Sequence, residues 1–261
     1  MCRLLGLISN KPVDLTFSLE LFKGLSEKNP DGWGIGFYDT NFQPKLYKEG
    51  MSAIDPESQL SRVSKEVVSH VIIAHVRKKG TDDAPATKVN SHPFKYNNWL
   101  FAHNGKIDRE YLFRLLDNKY RFALEGKTDS EVYFFWILQH IEKSGNEIAA
   151  IRNALKEMKP RYHTGMNFLL TNGMTLYAFR YTGTDQEKYP LYWLKREPSK
   201  PEPIEFVFQE TSAVMQSKSL QGEKAVLVCS EKLTRENWSE IPLGFLLEIN
   251  QNLITKKINI Y

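Results

Sequence analysis

Thr128–Ile141 reads TDSEVYFFWILQHI, and its tail decides the class of fold. From Val132 onward nearly every position is apolar: Val132, Tyr133, Phe134, Phe135, Trp136, Ile137, Leu138 and Ile141. Such a run has no polar stripe at the helical period, so it predicts a helix over Ser130–Ile141 that is covered on several sides. Its start carries a capping-box pattern, Thr128-x-x-Glu131, in which each side chain satisfies a main-chain N–H near the other residue. Working outward, Ile107–Leu116 and Glu147–Met158 read as helices on either side. Beyond this block lie short runs of strand length. Before it come Leu4–Ile8, Trp33–Tyr38, Lys45–Lys48, Val71–Val76 and Trp99–His103, with helical spacing over Leu15–Leu25 and Pro56–Ser69. After it come Met166–Leu170, Thr175–Tyr181, Leu191–Leu194, Phe206–Phe208, Lys224–Cys229, Gly244–Ile249 and Leu253–Lys257, with a hairpin signal in Asn172-Gly173. Helices grouped between two sets of strands favour α+β with antiparallel sheets over a doubly wound parallel sheet.

The chain has 261 residues, 41% of them hydrophobic, enough for a sizeable core without disulfide staples. One domain over residues 1–261 is expected, with the Pro- and charge-rich Arg196–Pro203 as a surface loop. The two cysteines, Cys2 and Cys229, form no disulfide framework and no CxxC site, which fits a reducing, cytoplasmic setting. No stretch approaches the roughly 20 apolar residues of a membrane span, so no membrane association is expected. The net charge of +4 is spread over scattered basic residues, apart from Arg77-Lys78-Lys79, and no motif points to a nucleic-acid partner. None of the six histidines has zinc-ligand spacing, so no metal and no cofactor are expected. Gly32-x-Gly34-x-Gly36 departs from the phosphate-cradling GxGxxG pattern and lacks its strand–turn–helix setting.

Cys2 follows the initiator methionine, and a residue this small allows Met1 to be removed. Removal would put a thiol and a free α-amine on one residue. Their ordinary pKa values are about 8.5 and about 7.7–8.0. An amine in that range is partly unprotonated near neutrality and can take the thiol proton without help from a histidine. A cysteine at position 2 also occurs by chance, so the rest of the chain has to carry the reading.

It does so through a series of short segments. Ala74-His75-Val76-Arg77 ends a buried-looking strand with an arginine. Asn90-Ser91-His92-Pro93-Phe94 follows. Trp99–Gly105 is a strand ending in Asn104-Gly105, and Thr128-Asp129-Ser130-Glu131 opens the apolar helix. In this order, and at this spacing from an N-terminal cysteine, they resemble the glutaminase domain of class II glutamine amidotransferases. Asn29–Phe37 and Ser230-Glu231-Lys232-Leu233 look like the short stand-alone branch, which includes enzymes acting on γ-glutamyl compounds. The glutaminase motifs span residues 2–131, and the later strands match loosely.

The resemblance implies the N-terminal-nucleophile hydrolase fold, a four-layer αββα sandwich of two antiparallel sheets. It implies Cys2 as nucleophile, with the Asn104 side-chain amide and the Gly105 N–H as the oxyanion hole. Arg77 would bind the glutamine α-carboxylate through its guanidinium fork, and Asp129 the α-ammonium. Each has a plainer explanation when taken alone: a surface arginine, a helix-start aspartate, an Asn-Gly turn. His92 is placed on the substrate side as the residue that orients the site loop, and Trp33 as a wall of the glutamine pocket. His75 and His103 read as core histidines or supports behind the site. One departure stands out. Synthase-type relatives follow the arginine with Trp and a Thr-His pair that also holds the carboxylate, whereas here Lys78-Lys79-Gly80-Thr81 follows.

The function expected is cleavage of the side-chain amide of glutamine or a γ-glutamyl compound through a Cys2 thioester. The alternatives are an ammonia-supplying glutaminase subunit that works with a separate synthase, and a catalytically silent binding protein of the same fold.

Overall fold

A computed structural model describes residues 2–14, 24–80, 83–158, 162–183, 189–197, 204–207, 214–217 and 224–261. The chain opens with β1 (Arg3–Asp14), β2 (Trp33–Tyr38) and β3 (Pro44–Glu49), then α1 (Leu60–Glu66), β4 (Val68–Val76), β5 (Phe94–Tyr96) and β6 (Trp99–Ile107). The helical block is α2 (Arg109–Leu115), α3 (Asn118–Phe122), α4 (Asp129–Ser144) and α5 (Glu147–Met158). Strands β7 (Tyr162–Thr171), β8 (Thr175–Arg180), β9 (Tyr192–Arg196), β10 (Ile204–Val207) and β11 (Val214–Ser217) follow. The last are β12 (Ala225–Cys229), β13 (Ser239–Glu240), β14 (Phe245–Asn250) and β15 (Thr255–Asn259).

Two sheets dominate. Among the described residues the first has seven strands in the order β13-β9-β12-β1-β4-β2-β3, and the second six in the order β15-β14-β8-β7-β6-β5. Among the described residues every pairing is antiparallel, and β10 and β11 pair only with each other. The sheets meet face to face over Leu4, Ile8, Val71, Ile73, Leu100, Ala102, Leu169, Val226 and Val228. The outer face of the first sheet carries Leu5, Leu7, Trp33, Ile35 and Ile72 and packs on Leu60 and Val63 of α1. The outer face of the second carries Phe101, Phe168, Tyr177 and Phe179 and packs on α4 and α5. The result is the expected αββα sandwich.

α4 explains why the second sheet is so well covered. Val132, Tyr133, Phe134, Phe135 and Ile137 are all buried. Side chains of this kind contribute about 1.5–3 kcal/mol each when fully buried. Tyr133 meets Phe101 edge-on at 5.4 Å and His103 at 5.2 Å, the offset geometry that aromatic quadrupoles favour. Gly145 at φ 66° closes the helix, as a left-handed C-terminal glycine does elsewhere.

Two local expectations change, and one plainer alternative falls away. The helix expected over Pro56–Ser69 covers only Leu60–Glu66. From Val68 the chain is extended, because Ser69 Oγ donates to Tyr38 O at 2.7 Å and Val68 and Ser69 pair with Asp14 and Val13. Sheet pairing overrides the helical period there. The capping box forms by half. Thr128 Oγ1 accepts from Glu131 N, while the Glu131 carboxylate accepts from the N–H groups of Glu125 and Gly126 and pins the loop before the helix. Asn104-Gly105 is no turn, for β6 runs on to Ile107. The Asn172-Gly173 hairpin stands, with Asn172 Oδ1 accepting from Met174 N and Thr175 N. The helix expected over Leu15–Leu25 lies almost wholly outside the described residues, as does Arg196–Pro203 beyond Glu197 and as does Phe208.

Candidate active site

Side chains on a strand alternate between faces, and four chain segments use this to build the site. On the inter-sheet face, Val71 and Ile73 of β4 are followed two residues on by His75. Leu100 and Ala102 of β6 are followed by Asn104. Val226 and Val228 of β12 lead to Ser230, and Ile8 and Leu4 of β1 lead back to Cys2. The aliphatic members belong to the core between the sheets. One pleat further along, at one end of the sandwich, the same face turns polar.

Buried polar groups need partners, and these find one another. The Asn104 Nδ2 donates to the Cys2 carbonyl oxygen at 2.8 Å, with a longer 3.4 Å contact to Ser230 Oγ. His75 Nε2 lies 3.0 Å from Asn104 Oδ1. Ser230 Oγ accepts from Leu4 N at 3.0 Å. The half-buried Cys2 Sγ accepts from Lys78 N at 3.1 Å and faces Lys78 O at 3.3 Å. Burial pushes the Cys2 thiol above its ordinary pKa, and the Lys78 amide works against that rise.

Gly105 is required by its position. Its φ is +143°, and a Cβ there would lie 1.7 Å from the Gly165 carbonyl oxygen. No other residue lets β6 pass so close to β7. Asp129, at the start of α4, is tied to the same strand. Its Oδ2 accepts from Ile107 N and its Oδ1 from Ser130 N, each at 2.8 Å. His103 sits beneath, with Nε2 facing Gly165 O at 3.3 Å and Nδ1 facing Ser130 Oγ at 2.9 Å.

Arg77 leaves β4 buried at 5% exposure. Its guanidinium donates to Pro85 O at 3.0 Å and Ala84 O at 2.6 Å, so the loop after β4 folds back to hold it. Asn90 ties that loop to the start of α4, donating to Pro85 O and accepting from Lys127 N. His92 is buried behind, its ring 4.2 Å from that of His75 and 4.7 Å from that of Phe94. Neither of its ring nitrogens has a partner among the described residues. Burial drives His75, His92 and His103 below the ordinary histidine range, His75 to about 3, so all three are neutral at working pH.

One cleft of about 420 Å³ is bordered by Cys2, Arg77, His92, Asn104, Gly105 and Asp129 together. The structure thus brings together every expected site residue except Trp33. That indole belongs to the outer face of the first sheet. It is 1% exposed, its N–H donates to Glu49 Oε2 and Ser58 Oγ, and it borders a separate hollow of about 250 Å³. Alternation on β2 accounts for this, because it is Gly34 and Gly36 that face inward. A Cβ on Gly34 would sit 2.2 Å from the His92 carbonyl oxygen, so that glycine makes room for the His92 loop. Ser230 and the Lys78 main chain were missed as site members. The Ser230–Leu233 motif and the alternation of β12 both pointed to Ser230, whereas main-chain contacts leave no mark on residue type. Among the described residues, no group of His, Cys, Asp or Glu could hold a metal ion. No described helix is long and apolar enough to cross a membrane.

A cysteine at the head of the first strand of an αββα sandwich, beside an amide and an arginine at the sandwich's open end, is an arrangement compatible with the N-terminal-nucleophile hydrolase fold. Comparison with known proteins narrows this. The family model of glutamine amidotransferases class-II matches residues 1–259. An uncharacterized protein of Methanocaldococcus jannaschii is 32% identical over 95% of this chain and 68% of its own length. The gamma-glutamyl-hercynylcysteine sulfoxide hydrolase of Mycobacterium tuberculosis is 29% identical over 58% of each chain. A glutamine aminotransferase class-II domain protein from Silicibacter pomeroyi shares the fold, with TM-score 0.65 and 20% identity over 99% of both chains. The chain belongs to the class II glutamine amidotransferases, and it is an enzyme of amide chemistry.

Proposed function

We propose that the mature chain begins at Cys2 and hydrolyses the side-chain amide of a γ-glutamyl compound through a Cys2 thioester. The observation that carries this is the convergence of the Cys2 thiol, the Asn104 amide, Arg77 and Asp129 on one cleft. With Met1 gone, the Cys2 α-amine takes the thiol proton as sulfur attacks the amide carbon. The resulting oxyanion takes the Asn104 Nδ2 hydrogen that has only the long contact to Ser230, together with the Gly105 N–H. The C–N bond then breaks, and the amine leaves with the proton held by the α-ammonium. Water adds to the thioester with the same amine as base, and the C–S bond breaks to release the glutamyl carboxylate. Arg77 and Asp129 meet the α-carboxylate and α-ammonium of the glutamyl half, and their charges balance it.

Two features favour a γ-glutamyl compound over free glutamine. The Mycobacterium relative is named a gamma-glutamyl-hercynylcysteine sulfoxide hydrolase. With Arg77 and Asp129 assigned to the glutamyl half, the described residues bordering the cleft leave four cations, Lys78, Lys106, Arg109 and Lys127, against Asp83 alone. Lys106 lies 3.9 Å from that carboxylate. A cleft of this sign attracts anions, so the leaving amine carries a carboxylate, as in a γ-glutamyl amino acid.

The test begins with an intact mass that verifies loss of Met1. Glutamate release from γ-glutamylglycine is then measured for the native chain and for Cys2→Ala. The Ala variant is expected to retain the melting temperature within about 4 °C and to lose turnover. Full activity in Cys2→Ala would sink the mechanism.

A further inference from the structure

We propose that His75 is a positioning residue, whose Nε2–H holds the Asn104 amide in the one orientation that turns Nδ2 toward Cys2. The assignment follows from which atoms can donate. A carbonyl oxygen only accepts, so the Asn104 atom 2.8 Å from Cys2 O is the nitrogen. Its Oδ1 therefore faces His75 Nε2 at 3.0 Å, and that ring nitrogen must carry the proton. The other nitrogen, Nδ1, is then a bare lone pair. It is buried and has no partner among the described residues. Adding a proton there would create a donor with nothing to bond and a charge near Arg77. Burial accordingly pushes His75 down to about 3, and the ring stays neutral.

The opposite amide orientation would set two acceptors, Oδ1 and Cys2 O, against each other. It would also force His75 into the other tautomer, with a proton on the partnerless Nδ1. Both changes cost the free energy of unmet buried polar groups. The His75 backbone is fixed opposite Leu4 and Gly34 in the central strands, and its ring rests on His92. The site's amide is thus aimed by a rigid sheet side chain, which is the requirement for a preorganised oxyanion donor.

Two measurements test this, and only the second rests on the thioester reading. Nitrogen-15 spectra of the full chain, taken from pH 8 to 5, should find His75 as the Nε2–H tautomer with no titration. An Nδ1–H tautomer, or a titration near pH 6.5, overturns the proposal whether or not the protein is active. For the second, His75→Phe is expected to lower kcat by about 10- to 100-fold, a fraction of the loss for a missing oxyanion donor. KM and the shape of the pH profile should hold, and so should the iodoacetamide alkylation rate of Cys2, a displacement that forms no oxyanion. His75→Gln, whose amide can replace the Nε2–H, should recover most of kcat. In an Asn104→Ala background, His75→Phe should add little, since the two residues act as a unit. Additive losses, or a folded Gln variant as slow as Phe, overturn the assignment. If Phe fails to fold, the Gln variant and the spectra still decide. Absence of any Cys2-dependent turnover in the native chain would count against the thioester reading, leaving the spectra to judge His75.

Discussion

The middle and the open end of the inter-sheet space are built from the same strands and differ by one pleat step. In the middle, Ile8, Ile73, Ala102, Leu169 and Val228 are interchangeable in kind, and packing alone holds them. At the end, Cys2, His75, Asn104 and Ser230 each need a particular neighbour. The contrast teaches that the site is an extension of the core. Its side chains are aimed by the pleat, and their polarity is tolerated because they satisfy one another. Changes in the middle should therefore alter stability and spare chemistry, and changes at the end should do more to chemistry than to stability.

The sharpest break of this contrast is Asn104→Ala, which removes the proposed oxyanion donor. A loss of about 10²–10³ in kcat is expected, with a smaller stability loss of about 1–3 kcal/mol because the His75 N–H is orphaned. Steady-state kinetics and urea unfolding on one sample check both. An unchanged kcat would remove Asn104 from the chemistry.

Leu169→Ala should do the reverse. Leu169 is fully buried, and such truncations cost about 2–5 kcal/mol. The kcat of the folded enzyme at low temperature should stay within about twofold, since no bond of the site network passes through it. A large kcat effect would mean that middle and end are coupled.

Acid should act on the end before the middle. His75, His92 and His103 have folded pKa values depressed by burial. Their unfolded value is about 6.5. Between that value and the folded ones the unfolded chain binds more protons, so stability is full above about pH 6.5 and falls as pH drops. Each such histidine contributes a slope of up to about 1.4 kcal/mol per pH unit. Urea unfolding at pH 7, 6 and 5 should show the loss, and His75→Gln should flatten it by about one histidine's share. A flat native profile would contradict neutral burial.

The smallest effect concerns the cleft rim. γ-Glutamylglycine should have a kcat/KM about tenfold above that of γ-glutamylglycinamide, its uncharged counterpart, and the ratio should shrink from low salt to about 0.5 M salt as exposed charges are screened. Equal values, with Cys2-dependent turnover of both, would rule out the anionic leaving amine and leave the thioester chemistry standing.

Much of the fold was legible because it rests on period. The all-apolar α4 and the strand runs on both sides announced α+β, and the short motifs pointed to the sandwich. What misled was local. Val67 and Val68 sit in a stretch with helical spacing, yet β1 and β2 draw the chain into a strand after Glu66. Trp33 stands among glycines beside a site motif, but its own side chain takes the opposite face. Glu131 has the capping-box spacing and bonds elsewhere.

The sequence by itself determined which residues could act: a thiol two positions from the start, an arginine at a strand end, an Asn-Gly pair, an acid at a helix start. Residue type and spacing carry that much, because they set charge, nucleophilicity and the face of each element. Only the tertiary structure decided which of them share a cleft, which amide orientation and which imidazole tautomer the site uses, and that Trp33 stands apart. Those outcomes depend on contacts between strands far apart in the chain, such as Leu4 with His75 and Asn104 with Cys2, and such pairings are settled by burial and hydrogen-bond satisfaction across the whole sandwich.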